Sequence, residues 1–204
     1  MKRCPQCNRT YSEDSFSFCL ADGALLSAPY NQEETLVLHN PPQNYWESAP
    51  TVQDAPRRAT KTERLYFDFW NGFNEFCRTT GTFLKTHKSY PQYWYLIAVG
   101  RSNTPISLTA SLQKKRLGCE IYLMGAKAKR DFKLLEKDKQ AIEEKTGALD
   151  WQEIPEKQDC RIILYRYGID VSDKANWNEA FAWLKSEGEI FHRTFSPLVR
   201  ALPR

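Results

Sequence analysis

Several features of enzymes and membrane proteins are missing from the sequence. No apolar run approaches the roughly 20 residues that a membrane-spanning helix needs, and the opening MKRCPQC contains no apolar signal-peptide core. The nine glycines are scattered and form no phosphate-binding loop. The histidines His39, His87 and His192 have no partner at ligand spacing, and no nucleophile motif accompanies them. We therefore expect a cytoplasmic protein without a membrane span, and we predict no catalytic residues.

Charge and composition divide the chain of 204 residues into three segments. Residues 1–26 carry no formal net charge, and residues 27–60 contain five prolines among polar residues and carry −2. Residues 61–204 therefore carry about +6 of the overall +4, together with five of the six tryptophans. The middle segment cannot bury enough apolar surface to offset its ordering entropy, so we predict a flexible linker between two folded parts.

Three of the six cysteines lie in the first segment with the spacing of a metal site. Cys4 and Cys7 are separated by two residues, and Cys19 and Asp22 by two more after an interval of eleven. Paired chelating residues on two tight turns are typical of zinc ribbons, in which thiolates hold Zn²⁺ tetrahedrally. The spacing predicts a closed, structural Zn²⁺ site at residues 1–26. The alternatives are three unrelated thiols or a ribbon without metal.

This segment resembles short bacterial zinc-ribbon modules that begin Cys-Pro-x-Cys and end Phe-Cys-x-x-Asp-Gly or Phe-Cys-x-x-Cys-Gly. Asp22 stands where the commoner form has cysteine. The fourth ligand could be Asp22, His39 or a group from another chain. Since the segment is formally neutral, its charge does not favour phosphate binding.

Hydrophobic periodicity in residues 61–204 predicts an α+β domain of order α-βββ-α-ββ-α with a mostly antiparallel sheet. The predicted elements are a helix over 61–78 ended by Gly81, strands over 93–99, 106–112 and 119–123, a helix over 128–145 ended by Gly147, strands over 149–154 and 161–167, and a last helix that opens with a capping box of Asn176 and Glu179 and stops before Pro197. Cys77, Cys119 and Cys160 fall on predicted apolar faces or strand edges, so we expect buried structural thiols.

The same region resembles a bacterial domain of unknown function, number 4268. The resemblance rests on dispersed positions: Tyr93-Trp94, Gly100-Arg101-Ser102, Gly147 with Trp151, Arg161-Ile162 with Tyr165, Trp177, Trp183-Leu184 and Phe195. Members of that family often follow restriction-type nuclease domains, which implies an accessory role near nucleic acid or phage defence. Here the predicted zinc ribbon stands where the nuclease domain would be, which argues against a nuclease function.

Basic residues of the large domain form the candidate binding surface. Lys114, Lys115 and Arg116 make a predicted hairpin tip, and Lys127, Lys129 and Arg130 open the predicted middle helix. Arg101 follows one strand, and Arg161 and Arg166 flank another. If they cluster, these cations would attract phosphates while aromatic rings stack on bases. The alternative is an ordinary solvated charged surface.

The leading hypothesis is a non-enzymatic binding module, in which a ribbon and an α+β domain engage nucleic acid or a protein partner in a bacterial restriction or defence context. A nuclease-like enzyme is the first alternative. It would need carboxylates and a lysine near a strand end, whereas Asp131-Phe132-Lys133 and Glu143-Glu144-Lys145 lie on a predicted charged helix. The second alternative is a structural oligomerisation domain that forms a homodimer.

Overall fold

A computed structural model describes residues 2–3, 10–11, 59–154 and 156–203, and the chain divides into two compact units, Met1–Ala49 and Pro50–Arg204. In the first unit, strand β1 (Lys2–Arg3) pairs antiparallel with β2 (Thr10–Tyr11).

The predicted ligands of the zinc ribbon and most of the predicted linker lie outside the described residues. This concerns Cys4, Cys7, Cys19 and Asp22, the alternative ligand His39, and positions 27–58. The zinc site and the flexible linker therefore stay predictions.

The second unit is an α+β domain, as predicted, with four α-helices and a five-stranded antiparallel sheet in its described part. Its elements are α1 (Lys61–Thr80), β3 (Trp94–Ile97), β4 (Ile106–Ser111), β5 (Arg116–Leu123), α2 (Ala128–Glu136), α3 (Lys139–Thr146), β6 (Asp150–Glu153), β7 (Cys160–Tyr167) and α4 (Trp177–Ala201). The strands lie in the order β3-β4-β5-β7-β6. None of the described helices combines the length and the hydrophobicity that crossing a membrane requires.

The predicted helix over 128–145 is wrong in one respect, because it is two helices. The backbone N–H of Asp138 donates to the Leu135 carbonyl at 3.0 Å, a tight turn that ends α2. The N–H of Ile142 then donates to the Asp138 carbonyl at 2.9 Å in α3. Aspartate favours helix ends over helix interiors, and the break still lets Leu135 and Ile142 reach one core.

Asn176 is the N-cap residue of the last helix, as predicted, but the predicted capping box is wrong. Asn176 makes no side-chain cap; its Nδ2 donates to the Asp170 carbonyl at 2.9 Å, and a 3₁₀ turn over Lys174–Asn176 leads into α4. Glu179, the expected second half of the box, pairs with Arg166 instead. The local capping pattern is present, but both side chains interact with other residues instead: Asn176 with Asp170 and Glu179 with Arg166.

Helix α4 continues through Pro197 instead of ending before it. A proline removes one backbone hydrogen bond and strains the preceding turn. Phe195 and Val199, on either side of it, are fully buried. Burying two such side chains contributes about 3–6 kcal/mol, which offsets the roughly 3 kcal/mol penalty of an interior proline.

One face of the sheet packs against all four described helices. Alternate residues of β4 and β5, such as Leu108 and Cys119, join a hydrophobic cluster that also contains residues from every one of these helices. The helix members include Phe69 of α1, Phe132 of α2, Ile142 of α3 and Phe195 of α4. No residue of the opposite face belongs to this cluster, and we call it the helix-free face, although its central residues, such as Glu120 and Ile163, are buried.

Side chains close the edge of the sheet at β3. The ring of His87 stacks on Tyr95 at a centroid distance of 4.2 Å, and its Nε2 lies 2.8 Å from the Leu96 carbonyl oxygen. The side-chain amide of Gln92 donates to the Trp94 carbonyl at 3.3 Å. The β3 carbonyl oxygens of Trp94 and Leu96, which point away from β4, therefore already have side-chain partners within the domain.

Candidate functional site

The helix-free face combines cations with aromatic rings where β5 pairs with β7. The antiparallel register sets these residues opposite one another. The facing pairs are Arg116 and Tyr167, Gly118 and Tyr165, Glu120 and Ile163, and Tyr122 and Arg161. Their neighbours in sequence, Leu117, Cys119 and Ile162, belong to the helix-side core, which fixes the direction of this face.

An arginine–tyrosine stack occupies the end of this face near the β4–β5 hairpin. The Arg116 guanidinium carbon lies 3.8 Å from the Tyr165 ring centroid and 5.7 Å from that of Tyr167. The two tyrosine rings are 5.8 Å apart. Tyr167 is 66% exposed and Phe83 45% exposed, and these are the two exposed large hydrophobic side chains among the described residues. A ring beside a cation and open to solvent can stack on a planar ligand.

Gly118 provides the space in which Tyr165 lies. A Cβ at position 118 would be 2.5 Å from Thr109 Oγ1 and 3.5 Å from the nearest atom of the Tyr165 ring. The ring therefore rests over backbone instead of over a side chain. Thr109 is the β4 partner of Gly118, so small groups lie beneath and beside the Tyr165 ring.

A second arginine–tyrosine pair occupies the other end of β5 and β7. The Arg161 guanidinium carbon is 5.2 Å from the Tyr122 ring centroid. Its Nε lies 3.9 Å from Oε2 of Glu120, which is buried in the middle of β5. Burial raises the pKa of the Glu120 carboxyl above its usual value, and the charge of Arg161 opposes that shift. Tyr122 donates from its hydroxyl to Asp159 at 2.7 Å.

The predicted hairpin cations lie beside the first pair. Lys114 is exposed, and Lys115 adopts a positive φ of 44° in the turn. The Lys115 ammonium is 3.0 Å from the Asp170 carboxylate. Hydrogen bonds from Ser172 and the charge of Lys115 together lower the pKa of Asp170 to about 2. Of this group, Arg116 alone lies within an aromatic stack.

The other predicted cations lie at the opposite end of β5. Arg101 and Arg130 both contact the buried carboxylate of Asp131, at 3.2 and 2.7 Å. Both also donate to the Pro203 carbonyl, at 3.1 and 2.7 Å. These guanidinium groups therefore connect Pro203 to Asp131 of α2.

Lys127 and Lys129 belong to the same end. Lys129 donates to the Ile154 carbonyl at 2.5 Å, while Lys127 precedes α2 without a side-chain cap. An eight-residue strand, about 25 Å long, separates this group from the hairpin cations. The predicted cations thus form two groups instead of one patch, and their part in nucleic-acid binding stays a prediction.

A model of the family described as "Domain of unknown function (DUF4268)" matches residues 65–199 of the chain. The chain belongs to this family. The match confirms the resemblance inferred from dispersed aromatic and glycine positions. No curated protein and no solved structure matches the DUF4268 chain.

Three tyrosines of the DUF4268 domain that form the site are missing from the predicted binding set. Tyr165 entered only through the family resemblance, and Tyr122 and Tyr167 were not singled out. The signal was the alternation in RIILYRY, which turns Arg161, Ile163, Tyr165 and Tyr167 to one face. Choosing between the two faces required the pairing with β5, which the local sequence does not contain.

The Glu143 carboxylate and the three cysteine thiols of the described domain are engaged or buried within it. Glu143 accepts hydrogen bonds from the backbone of Leu149 and from Trp151 Nε1, at 3.1 and 3.0 Å. Cys77, Cys119 and Cys160 are free and buried, as predicted. Within residues 59–154 and 156–203, no three His, Cys, Asp or Glu side chains are grouped so that they could hold a metal ion.

Proposed function

We propose that the DUF4268 domain is a binding module that engages single-stranded nucleic acid through its helix-free face. The observation that carries the proposal is the stack of Arg116 on Tyr165 beside the exposed ring of Tyr167. Sheets that bind single strands combine aromatic rings, on which bases stack, with cations that contact phosphates. Both groups are present here on two adjacent strands.

Local charge supports the same partner. Lys114, Lys115 and Arg116 follow one another at the hairpin, and Asp170 is the carboxylate in ionic contact with them in the described part. The hairpin therefore keeps a positive excess beside the exposed ring. Because a duplex keeps its bases paired inside, an exposed tyrosine can stack on a base only where the strand is single.

The test is fluorescence anisotropy of the full chain with a fluorescein-labelled ten-nucleotide single strand. Replacing Tyr167 by alanine removes the stacking ring, and base stacking contributes about 1–3 kcal/mol, so the affinity is expected to fall about 5- to 150-fold. Tyr167→Phe keeps the ring and should bind like the wild type. Arg64→Ala, on the exposed surface of α1, is a further control. Equal affinity of the Ala and Phe variants would contradict stacking, and an absence of salt-sensitive binding would favour a protein partner.

For the first segment we propose a structural Zn²⁺ ion held by Cys4, Cys7 and Cys19, with Asp22 as fourth ligand. The support is the ligand spacing. After dialysis against a weak chelator, we expect about one zinc per chain by mass spectrometry, and a strong decrease in Cys7→Ser. Comparing Asp22→Ala with His39→Ala identifies the fourth ligand. A wild-type chain without zinc would contradict the proposal.

A further inference from the structure

Arg116 at the hairpin end of β5 has hydrogen-bond donors that the domain does not use. Its guanidinium carbon is held 3.8 Å from the Tyr165 ring centroid, yet the guanidinium makes no hydrogen bond or ion pair in the described part of the chain. Arg116 is half-buried, and its nitrogens are not among the buried, unpartnered side-chain atoms of the described residues, which include nitrogens of Arg101 and Arg161. Solvent therefore reaches the donors of Arg116, in contrast to those two buried nitrogens.

The exposed ring of Tyr167 offers a place for a base beside this guanidinium. A base stacks with its atoms about 3.5–4 Å from those of the ring. The Arg116 guanidinium carbon lies 5.7 Å from the Tyr167 centroid, too far away to occupy the stacking position itself. The Tyr165 and Tyr167 rings are inclined at 48°, so a flat base cannot stack on both. We expect a base on Tyr167 to have Arg116 at its side, where the guanidinium can donate to the edge of the base.

The donors of an arginine distinguish among the edges of the bases. The guanidinium is a rigid planar fork that fits two acceptors lying side by side. Guanine presents O6 and N7 in this way, whereas adenine places a donor, the N6 amino group, beside N7. Thymine and uracil have no two adjacent acceptors. Cytosine has N3 and O2, but its single ring covers less of a tyrosine than the double ring of a purine, and stacking strength sets part of the preference for a base.

The phosphates of a strand have other cations at this site. Lys114 and Lys115 precede Arg116 in the hairpin, and both are exposed. An ammonium group attracts a phosphate as a compact charge and needs no bidentate geometry. Arg116, which is held in contact with Tyr165, is therefore the residue among these three that is suited to recognise a base.

We propose that Arg116 donates two hydrogen bonds to O6 and N7 of a guanine stacked on Tyr167, so that the domain prefers single strands that contain guanine. This inference rests on the proposed function and adds the base that the site recognises and the residue that recognises it. A bidentate contact of this kind discriminates against the wrong base by about 5- to 150-fold in affinity.

The experiment measures, by fluorescence anisotropy, how unlabelled decamers displace a fluorescein-labelled decathymidine from the full chain. Each competitor is decathymidine in which one central base is replaced by guanine, hypoxanthine, 7-deazaguanine, adenine or cytosine. Guanine and hypoxanthine both carry O6 and N7, so their decamers should compete about 5- to 150-fold better than those with adenine or cytosine. 7-Deazaguanine has the size of guanine but lacks N7, so its decamer should lose most of this advantage.

Arg116→Lys keeps the charge but removes the fork, so all the decamers should compete about equally for this variant. The matched control Arg64→Lys, on the exposed surface of α1, should keep the preference for guanine. The inference is overturned if all decamers compete equally for the wild-type chain, if cytosine or 7-deazaguanine competes as well as guanine, or if the guanine preference survives in Arg116→Lys. Each of these results leaves the proposed function standing. If no strand binds the full chain, the proposed function fails as well.

Discussion

Gly118 allows the most direct test of the architecture of the helix-free face. In Gly118→Ala the new methyl carbon would lie 2.5 Å from Thr109 Oγ1, closer than two such atoms can approach. Thr109 is β-branched and belongs to a strand, so few rotamers are open to it. Overpacking of this kind costs about 1–3 kcal/mol, and alanine recovers about 0.5–1 kcal/mol because glycine loses more backbone freedom on folding. We expect a net destabilisation of about 1 kcal/mol.

The clash can be relieved from the other side. Thr109→Ala removes the oxygen, so the double variant Thr109→Ala/Gly118→Ala should be more stable than the sum of the single effects, with a coupling of about 1 kcal/mol. Urea unfolding followed by tryptophan fluorescence gives the free energy of unfolding of each of the four proteins. If Gly118→Ala is as stable as the wild type, or if the effects of the two substitutions on the free energy of unfolding are additive, the reasoning is wrong. The contact with Thr109 Oγ1 would then not be the reason that glycine is needed at position 118.

Three further predictions concern titration, reactivity and the hairpin. Because the pKa of Glu120 is raised by burial, the folded state binds its proton more tightly than the unfolded state; this contribution to stability is fully present below the unfolded pKa of about 4.5 and is lost as pH rises through the folded pKa. Glu120→Gln should therefore lack that part of the pH dependence in urea unfolding, and identical profiles would contradict burial of a titrating carboxyl. Burial raises the pKa of Cys77 to about 11 and that of Cys119 and Cys160 above the usual value, so iodoacetamide at pH 8 should leave all three unmodified until urea is added, as read by peptide mass mapping. Lys115→Gly relieves a positive φ of 44°, so the free energy of unfolding should rise by about 1 kcal/mol or less. A clearly lower melting temperature would show that the contacts of the lysine side chain contribute more than the backbone strain costs.

Local patterns predicted most of the elements because each depends on residues a few positions apart. Leu65, Phe69, Phe73 and Phe76 recur at helical spacing, which predicts α1, and Gly81, with φ of 69°, ends it as expected. The start of that helix also has a capping box between Thr60 and Glu63, with hydrogen bonds of 2.6 and 3.2 Å. These features need no knowledge of distant segments.

Local patterns fail where a side chain's contacts are determined by residues outside the local pattern. Asn176 has the local signature of a cap, yet its amide donates to the Asp170 carbonyl. Arg130 contacts the Pro203 carbonyl, 73 positions away along the chain, which its local sequence does not indicate. The stack of Arg116 on Tyr165 likewise depends on the register between β5 and β7. Composition indicated cations and aromatic residues, but only strand pairing brings them into contact.

The filled carbonyls at β3 affect how copies of the domain could associate. His87 and Gln92 leave β3 poorly suited to accept another strand, while β6, at the other end of the described sheet, pairs with β7 alone. Edge-to-edge association would then use β6 of each copy, in an isologous two-fold contact. Such a pair would present β3 at both outer margins. Growth would stop at two copies, so an unwanted sheet contact could not propagate into a filament.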